Sequence, residues 1–334
     1  MVETATLKRP ASSTAESLEI PAAILFPGQG LPPKEICSYY QLLTELNPAL
    51  TTRYLSLAQQ ALEKISGSPS FNIETALKDA SSPDFRKTSF VQPVVYSLSV
   101  LAYEIMRPRL RERNIIPDVM AGHSLGEYSA MTAAGVFPFE EGIEIVTYRG
   151  KVMQEACDEN ESSLTSISGL NLETVRDEIC FQTGAEIALV NAPDLIVVGS
   201  RPDQIPKIKA VADQIAGQSV RVVTLETAGA FHTPFMIPAA VNLARFLANY
   251  EFTDPQYRFV NNYTGGLVES GVTLRDHSSE SMTRPVWWAK SLQTMKELGS
   301  KTFLESGPGV SLKQINKRNG IGEDQTKNIV DISP

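Results

Sequence analysis

Cysteine and histidine are scarce in this chain of 334 residues, which contains three of each. The cysteines, Cys37, Cys157 and Cys180, are far apart and odd in number, and their spacing matches no metal site. Such cysteines are typical of a reducing cytosol, where they serve as small buried hydrophobes rather than as reactive thiols. We therefore expect a cytoplasmic protein.

Long apolar runs are absent as well, since no stretch reaches the roughly 18 residues that a membrane-spanning helix requires. Residues 1–20 are polar, contain acidic side chains and lack the apolar segment of a secretory signal, which predicts a disordered tail. The net charge of −8 argues against a general nucleic-acid-binding surface. With 42% hydrophobic residues, the composition is that of a globular protein that binds neither nucleic acid nor membrane.

Apolar strands alternate with helical patterns in the first part of the chain. Residues 22–30 form a short apolar strand that ends in a Gly/Pro turn, and residues 118–124 form a second core strand. Helical spacing covers 35–65, and 92–106 predicts a buried helix. Strands that alternate with helices favour a mostly parallel sheet covered on both faces.

The pattern changes after residue 160 to β-α-β-β-α-β, the order of a ferredoxin-like unit. We predict a small subdomain at 161–227, inserted into a large catalytic α/β domain formed by 21–160 and 228–330. The predicted elements are a strand at 163–170, a helix at 171–184, two strands within 186–200, a helix at 201–217 and a strand at 219–226.

Gly122-His123-Ser124-Leu125-Gly126 fits the G-x-S-x-G pattern of a nucleophile elbow. In such a strand-to-helix turn the glycines allow a backbone path that side chains would block, and the serine hydroxyl is exposed. A chance match in a turn-rich loop is the alternative, because the pattern is short.

The scarcity of histidine narrows the choice of a base for Ser124. His123 adjoins the serine, and neighbouring side chains in such a turn point in different directions. His277 lies in a polar stretch that predicts an exposed loop, whereas His232 lies in a loop that can return to the elbow. His232 is therefore the candidate base.

Acyl chemistry also needs N–H donors for the tetrahedral oxyanion. The backbone amide of Leu125, directly after the serine, is one candidate. The turn "FPGQG" offers the amide of Gln29 as a second, unless it is simply a tight turn.

Nine short segments follow one another along the chain: "FPGQG", "QPVVYSLSVL", "GHSLGEYSA", "YRGKVMQEA", "NAPDLIVVGS", "GAFHTPFM", "NNYTGG", "RPVWWAKSL" and "ESGPG". In these segments and their order the chain resembles malonyl-CoA:acyl-carrier-protein transacylases, a family that includes the acyltransferase domains of polyketide synthases. The resemblance extends from about Ile24 to Gln314 and implies an α/β-hydrolase-like large domain with the inserted ferredoxin-like subdomain.

This resemblance implies that Ser124 is the acylated nucleophile and His232 its base. It implies an oxyanion hole formed by the amides of Gln29 and Leu125. A main-chain carbonyl at about Ser281 would orient the base in place of an acidic side chain.

The resemblance also implies how the substrate is recognised. Arg149 matches the arginine that binds the free carboxylate of malonyl groups, which a guanidinium can pair in bidentate fashion. Gln92 and Asn191 match polar residues of the pocket. Phe231 and Leu125 match residues of malonyl-selective members.

The implied reaction is a ping-pong transfer from malonyl-CoA to the phosphopantetheine thiol of a separate acyl carrier protein, in fatty-acid or polyketide biosynthesis. It requires no metal or redox cofactor, and we expect a monomer. Because carrier proteins are acidic, Lys313, Lys317 and Arg318 are candidate docking residues, with the basic residues of 107–113 as an alternative.

Two departures from the family pattern leave the acyl group open. The chain has Arg284 where the family often has asparagine, and its segment 162–167, "SSLTSI", is more polar than usual. The alternatives are a hydrolase of the same fold, a carrier-to-carrier transferase with another acyl group, and a non-enzymatic interaction subunit.

Overall fold

The computed structural model describes residues 19–66 and 71–332. Residues 1–18, which account for most of the predicted tail, lie outside this part. The described part begins just before the first strand of the large sheet.

Strands and helices alternate along the described chain. The strands are β1 (Ile20–Phe26), β2 (Ile115–Gly122), β3 (Ser163–Ser168), β4 (Glu186–Ala192), β5 (Leu195–Ser200), β6 (Arg221–Thr224), β7 (Arg258–Val260), β8 (Thr302–Glu305) and β9 (Thr326–Asn328). The helices are α1 (Pro33–Leu46), α2 (Pro48–Ser66), α3 (Ile73–Leu77), α4 (Thr88–Glu112), α5 (Gly126–Ala133), α6 (Phe139–Glu159), α7 (Leu172–Thr174), α8 (Phe181–Thr183), α9 (Ile205–Ala216), α10 (Ile237–Leu247), α11 (Gly271–Glu280), α12 (Trp288–Glu297) and α13 (Ser311–Arg318).

The larger sheet has the strand order β7-β2-β1-β8-β9, and its strands are parallel. Residues 22–26 of the central strand β1 are fully buried, as their continuous apolar run predicts for a parallel strand. The expected parallel α/β sheet is confirmed. Since β1 and β2 are neighbours, their carboxyl ends bring the "FPGQG" turn and the elbow together.

The second sheet is antiparallel with the order β4-β5-β3-β6, which is the arrangement of a ferredoxin-like unit. A turn of π-helix at Val175–Cys180 joins α7 to α8, so the predicted helix at 171–184 is one helical segment. Backbone hydrogen bonds link β4 to the large domain, because Val190 N–H donates to Val286 O at 2.9 Å and Val286 N–H donates to Ala188 O at 3.0 Å.

Helix α4 contains the predicted buried helix and extends it at both ends. By length and composition it is also apolar enough to cross a membrane, but 83% of its most apolar 18-residue stretch is buried inside the fold. This burial is that of a core helix. The cysteines are free: Cys37 and Cys157 are buried, as expected, and Cys180 is partly exposed.

The predicted exposed loop around His277 is wrong, because this residue lies on α11. The Ser270 hydroxyl caps the helix by accepting from Thr273 N–H, and Leu274 and Ser278 are buried. Buried Ser278 donates its hydroxyl to Leu274 O at 2.7 Å. The buried face therefore includes small polar residues whose hydrogen bonds are made within the helix, and apolar periodicity does not reveal it.

Candidate active site

Ser124 occupies a sharp turn between β2 and α5, with a φ of 51°, in the left-handed region. Such a conformation is unusual for a residue other than glycine. A Cβ at Gly122 would collide with the carbonyl group of Gly126, and a Cβ at Gly126 would collide with Phe26 O. Both glycines are therefore required by close backbone packing, which is the geometry of a nucleophile elbow.

Asn262 holds the two sides of this turn. Its side-chain Nδ2 donates to Gly122 O at 2.7 Å, and its Oδ1 accepts from Ser124 N–H at 3.1 Å. Its own backbone N–H donates to Oε1 of Glu127 at 2.8 Å. Burial raises the pKa of the Glu127 carboxyl to about 7. Our sequence reasoning missed Asn262, and the available signal was its position two residues beyond β7, a strand that pairs with β2.

His232 lies against the nucleophile. Its Nε2 is 2.7 Å from Ser124 Oγ, and its Nδ1 is 2.8 Å from the backbone carbonyl oxygen of Ser281. Because a carbonyl can only accept, Nδ1 carries the proton and Nε2 presents a lone pair to the serine hydroxyl. The structure thus places the carbonyl of Ser281 where the resemblance implied an orienting carbonyl.

The surroundings of His232 favour its neutral form. Burial is the largest cause and the nearby Arg149 cation is the second, and together they lower the pKa of His232 to about 3. The side chain is only 3% exposed. A neutral imidazole is the state that a general base requires.

His123 and Asn191 form a separate pair. Nε2 of His123 is 2.8 Å from Oδ1 of Asn191, and the imidazole packs edge-on against Trp288 with 5.4 Å between ring centroids. The backbone carbonyl of Asn191 accepts from Asn319 Nδ2 at 2.9 Å. Asn191 therefore connects the small sheet to the residue beside the nucleophile.

Two backbone amides beside Ser124 are available for an oxyanion. A Cβ at Gly28 would lie 3.1 Å from His123 O and 3.8 Å from Ser124 Cβ, so the "FPGQG" turn packs directly against the elbow. Across residues 19–66 and 71–332, neither Gln29 N–H nor Leu125 N–H donates a hydrogen bond. These are the two amides predicted from the sequence as oxyanion donors.

Arg149 lies on α6 and is 2% exposed. Its Nη1 donates to Oε1 of Gln92 at 2.5 Å, and its Cζ lies 5.4 Å from the ring centroid of Tyr128. Its Nε has no hydrogen-bond partner, and it forms no ion pair with any residue that the structure describes. The Glu127 carboxyl acts on the guanidinium electrostatically but forms no ion pair with it. A buried guanidinium without an ion pair is costly, and a bound anion would offset that cost.

The loop that carries Phe231 and His232 is fastened by Ser162. The hydroxyl oxygen of Ser162 accepts from Ala230 N–H at 3.0 Å, and Phe231 is buried. Ser162 is the first residue of the segment 162–167 that is more polar than usual, and its hydroxyl supports the backbone next to the base. Arg284, the other departure from the family pattern, is exposed.

The candidate docking residues lie on α13, and two of them are already paired. Lys317 contacts Glu323 at 2.5 Å, and Arg318 pairs with Asp194 at 2.8 Å. No ion pair of Lys313 occurs within the described part of the chain. In the alternative segment, Arg107 pairs with Glu104 at 3.3 Å.

A groove of about 520 Å³ lies between α12, α13 and the end of β4. Its lining contains three cations and no acidic residue, and it includes Asn319, which binds Asn191. The groove therefore begins close to the pair formed by His123 and Asn191. Its lining includes Trp287, Lys290, Lys296, Arg318 and Asn319.

Comparisons with known proteins find matches over most of the chain. Residues 50–329 match the acyl transferase domain family. A polyketide biosynthesis malonyl CoA-acyl carrier protein transacylase from Bacillus subtilis (strain 168) is 30% identical over 292 residues, which cover 85% of this chain and 92% of that protein.

Two solved structures are similar over most of the chain. A malonyl-CoA:acyl carrier protein transacylase from Xanthomonas oryzae pv. oryzae has a TM-score of 0.78 and 25% identity, covering 89% of this chain and 91% of that one. The second structure is that of a type II PKS acyl-carrier protein in complex with its malonyl-transacylase. The matching chain of that complex has a TM-score of 0.75 and 26% identity, and the match covers 92% of this chain and 94% of that one.

Proposed function

Because the chain belongs to the acyl transferase domain family, we propose that it transfers a malonyl group from coenzyme A to the phosphopantetheine thiol of a separate acyl carrier protein. The observation that carries the choice of malonyl is Arg149, a buried cation that forms no ion pair with the described residues and acts electrostatically on His232 of the Ser124–His232 pair. The proposal involves no metal and no redox cofactor.

In the first half-reaction, Oγ of Ser124 attacks the thioester carbonyl carbon while Nε2 of His232 takes the hydroxyl proton. The amides of Gln29 and Leu125 donate to the oxyanion of the tetrahedral intermediate. When the intermediate collapses, the C–S bond breaks and the departing thiolate of coenzyme A receives the proton from His232. The product is a malonyl ester of Ser124.

The second half-reaction uses the same groups in reverse. The phosphopantetheine thiol loses its proton to His232 and attacks the ester carbonyl. The bond to Ser124 Oγ then breaks, and the serine oxygen regains the proton from His232. The carbonyl of Ser281 keeps the imidazole in one tautomer throughout, so the site needs no acidic third member.

Arg149 and Phe231 account for the selection of the acyl group in this proposal. The guanidinium pairs with the free carboxylate of the malonyl group in a buried site, where charge-assisted bonds are strong. Phe231 adjoins the base and would crowd a substituent on the α-carbon. Discrimination of one methyl group by an apolar pocket is worth about 1–3 kcal/mol, so Phe231 supplies a preference.

The basic groove supports docking of the carrier. Lys290 and Lys296 are exposed, and neither forms an ion pair in the described part of the chain. They can therefore bind an acidic partner without breaking an internal ion pair. Lys317 and Arg318 would have to give up their ion pairs with Glu323 and Asp194. We place the docking surface on this groove together with Lys313 of α13.

Intact-protein mass spectrometry after incubation with a panel of acyl-CoAs tests the proposal. We expect malonyl-CoA to add one malonyl mass to the wild-type chain and none to Ser124→Ala. Transfer of that mass to a phosphopantetheinylated carrier protein should follow. A wild type that prefers acetyl or a longer uncharged group would favour the carrier-to-carrier transferase, and release of free acid would favour the hydrolase.

A further inference from the structure

A chain of side-chain hydrogen bonds connects Arg149 to the turn that holds Gln29. Nη1 of Arg149 donates to Oε1 of Gln92 at 2.5 Å, and Nε2 of Gln92 donates to Oγ1 of Thr88 at 2.9 Å. The Thr88 hydroxyl then donates to Oε1 of Gln29 at 2.6 Å. The two ends of this chain are the carboxylate-binding group and an oxyanion donor of the proposed function.

Thr88 is the central link because its hydroxyl can accept one hydrogen bond while it donates another. The residue begins α4 and is 3% exposed, and its backbone N–H donates to Oε1 of Gln154 on α6 at 2.9 Å. The position of the hydroxyl is thus fixed by the helix that also carries Arg149. Valine would fill the same space but could neither donate nor accept.

The turn at Gln29 is open on the side of Gly30. It is flanked by Gly28 and Gly30, and nothing lies within 4 Å of where a Cβ at Gly30 would be. A short backbone bond from Leu31 N–H to Gln29 O at 2.8 Å closes the turn on itself. Gly28 packs against the elbow, and the bond to Thr88 ties the Gln29 side chain to α4, so this bond is the side-chain restraint on the orientation of the turn.

We propose that Thr88 is a positioning residue that couples recognition of the substrate carboxylate at Arg149 to the oxyanion hole at Gln29. This inference rests on the proposed function. Hydrogen bonds in a buried chain polarise and orient one another, so an anion bound at Arg149 reinforces the orientation of Gln92, Thr88 and Gln29 in turn. A substrate with a free carboxylate then gains transition-state stabilisation as well as binding, and selectivity appears in the rate of acylation.

Single-turnover acylation of Ser124 by malonyl-CoA and by acetyl-CoA tests this coupling. We expect Thr88→Val to lower the maximal acylation rate with malonyl-CoA by about 10- to 100-fold, and the rate with acetyl-CoA by clearly less. This is smaller than the loss of about 10²- to 10³-fold on removal of an oxyanion donor, because the Gln29 amide is displaced and not removed. Thr88→Ser retains the hydroxyl and should restore most of the malonyl rate. Ser89→Ala, on the next residue but outside the chain of bonds, is the matched control and should leave both rates unchanged.

A double-mutant cycle separates coupling from simple support of the turn. In an Arg149→Ala background, Thr88→Val should slow malonyl transfer by no more than it slows acetyl transfer in the wild type. Equal losses for both thioesters in the Thr88→Val single variant, or additive effects in the cycle, would overturn the coupling. If Thr88→Val does not fold, Gln29→Met removes the other end of the bond while keeping the backbone amide, and the same selective loss is expected.

The outcome for the wild type keeps the two proposals apart. Absence of malonyl labelling in the wild type would overturn the proposed function. Normal labelling with an unchanged rate in Thr88→Val would overturn the role of Thr88 alone.

Discussion

Nε2 of His232 lies 2.7 Å from Oγ of Ser124, although 108 positions separate the two residues in the chain. Both residues have a positive φ, 61° for His232 and 51° for Ser124. Such backbone conformations persist only where the surrounding structure enforces them. Here close glycine packing and Asn262 constrain the serine, while Ser281 and the loop fastened by Ser162 constrain the histidine.

Removal of the catalytic pair gives the first prediction. Ser124→Ala should abolish covalent labelling by malonyl-CoA, since the hydroxyl of Ser124 is the nucleophile that bonds to His232 Nε2. His232→Ala should slow acylation by about 10²- to 10⁴-fold, the usual contribution of a positioned base. Rapid mixing followed by mass spectrometry measures both. Unchanged kinetics in His232→Ala would show that another group takes the proton.

Arg149→Ala gives the second prediction. Loss of one partner of a buried, hydrogen-bonded charge pair costs about 2–5 kcal/mol, so kcat/KM for malonyl-CoA should fall by about 30- to 5,000-fold. Acetyl-CoA lacks the carboxylate and should lose little. Acylation rates for both thioesters in both proteins provide the measurement, and equal losses would mean that Arg149 supports only the fold.

The pH dependence follows from the environment of His232. Its pKa is lowered from 6.5 to about 3, so the base stays neutral as the pH falls. We expect kcat/KM for acylation to show no limb near 6.5 between about pH 5 and 8, because this parameter reports the free enzyme. A limb near pH 7 that disappears in Glu127→Gln would belong to Glu127, whose pKa is about 7.

The same shift has a consequence for stability. Since folding lowers the pKa of His232, the unfolded chain binds the proton more readily than the folded chain. The contribution of the neutral histidine to stability is present above about 6.5 and is lost as the pH falls toward 3. Denaturant titrations of the wild type and His232→Gln should converge in that interval. Parallel curves would contradict the lowered pKa.

Local pattern sufficed for some parts of the site and not for others. The elbow was predictable because both of its glycines lie within two residues of Ser124, and the order of the small sheet followed from alternation along the chain. Asn262 and Thr88 were not predictable, because their partners are distant in the sequence. Asn262 bonds to Ser124 across 138 positions, and Thr88 bonds to Gln29 across 59 positions. When a single polar residue stands at the end of a strand or helix, no pattern in the neighbouring sequence identifies its distant partner.

Asn262 gives a prediction of its own. Asn262→Ala removes the donor to Gly122 O and the acceptor for Ser124 N–H, so the strained serine should relax toward another conformation. We expect acylation to slow by about 10- to 100-fold, with a smaller change in KM, because misplacement of a nucleophile acts on the rate. The neighbouring Asn261 bonds to His277 and Thr264 instead, so Asn261→Ala serves as the control. A comparable loss in both variants would indicate general destabilisation.

The last prediction concerns the carrier protein. The double variant Lys290→Glu and Lys296→Glu reverses two unpaired charges of the groove. It should raise the apparent KM for an acidic carrier several-fold and make transfer less dependent on salt concentration. The reason is that charges at the rim of an interface act mainly on the rate of association. Self-acylation from malonyl-CoA should be unchanged, because Ser124 and Arg149 are untouched. Reversal at Lys317 and Arg318 is the comparison: it breaks the pairs with Glu323 and Asp194, so a change in melting temperature should accompany any change in KM. If both half-reactions declined together in the Lys290 and Lys296 variant, the groove would serve the fold, and an unchanged KM would place the carrier on another face.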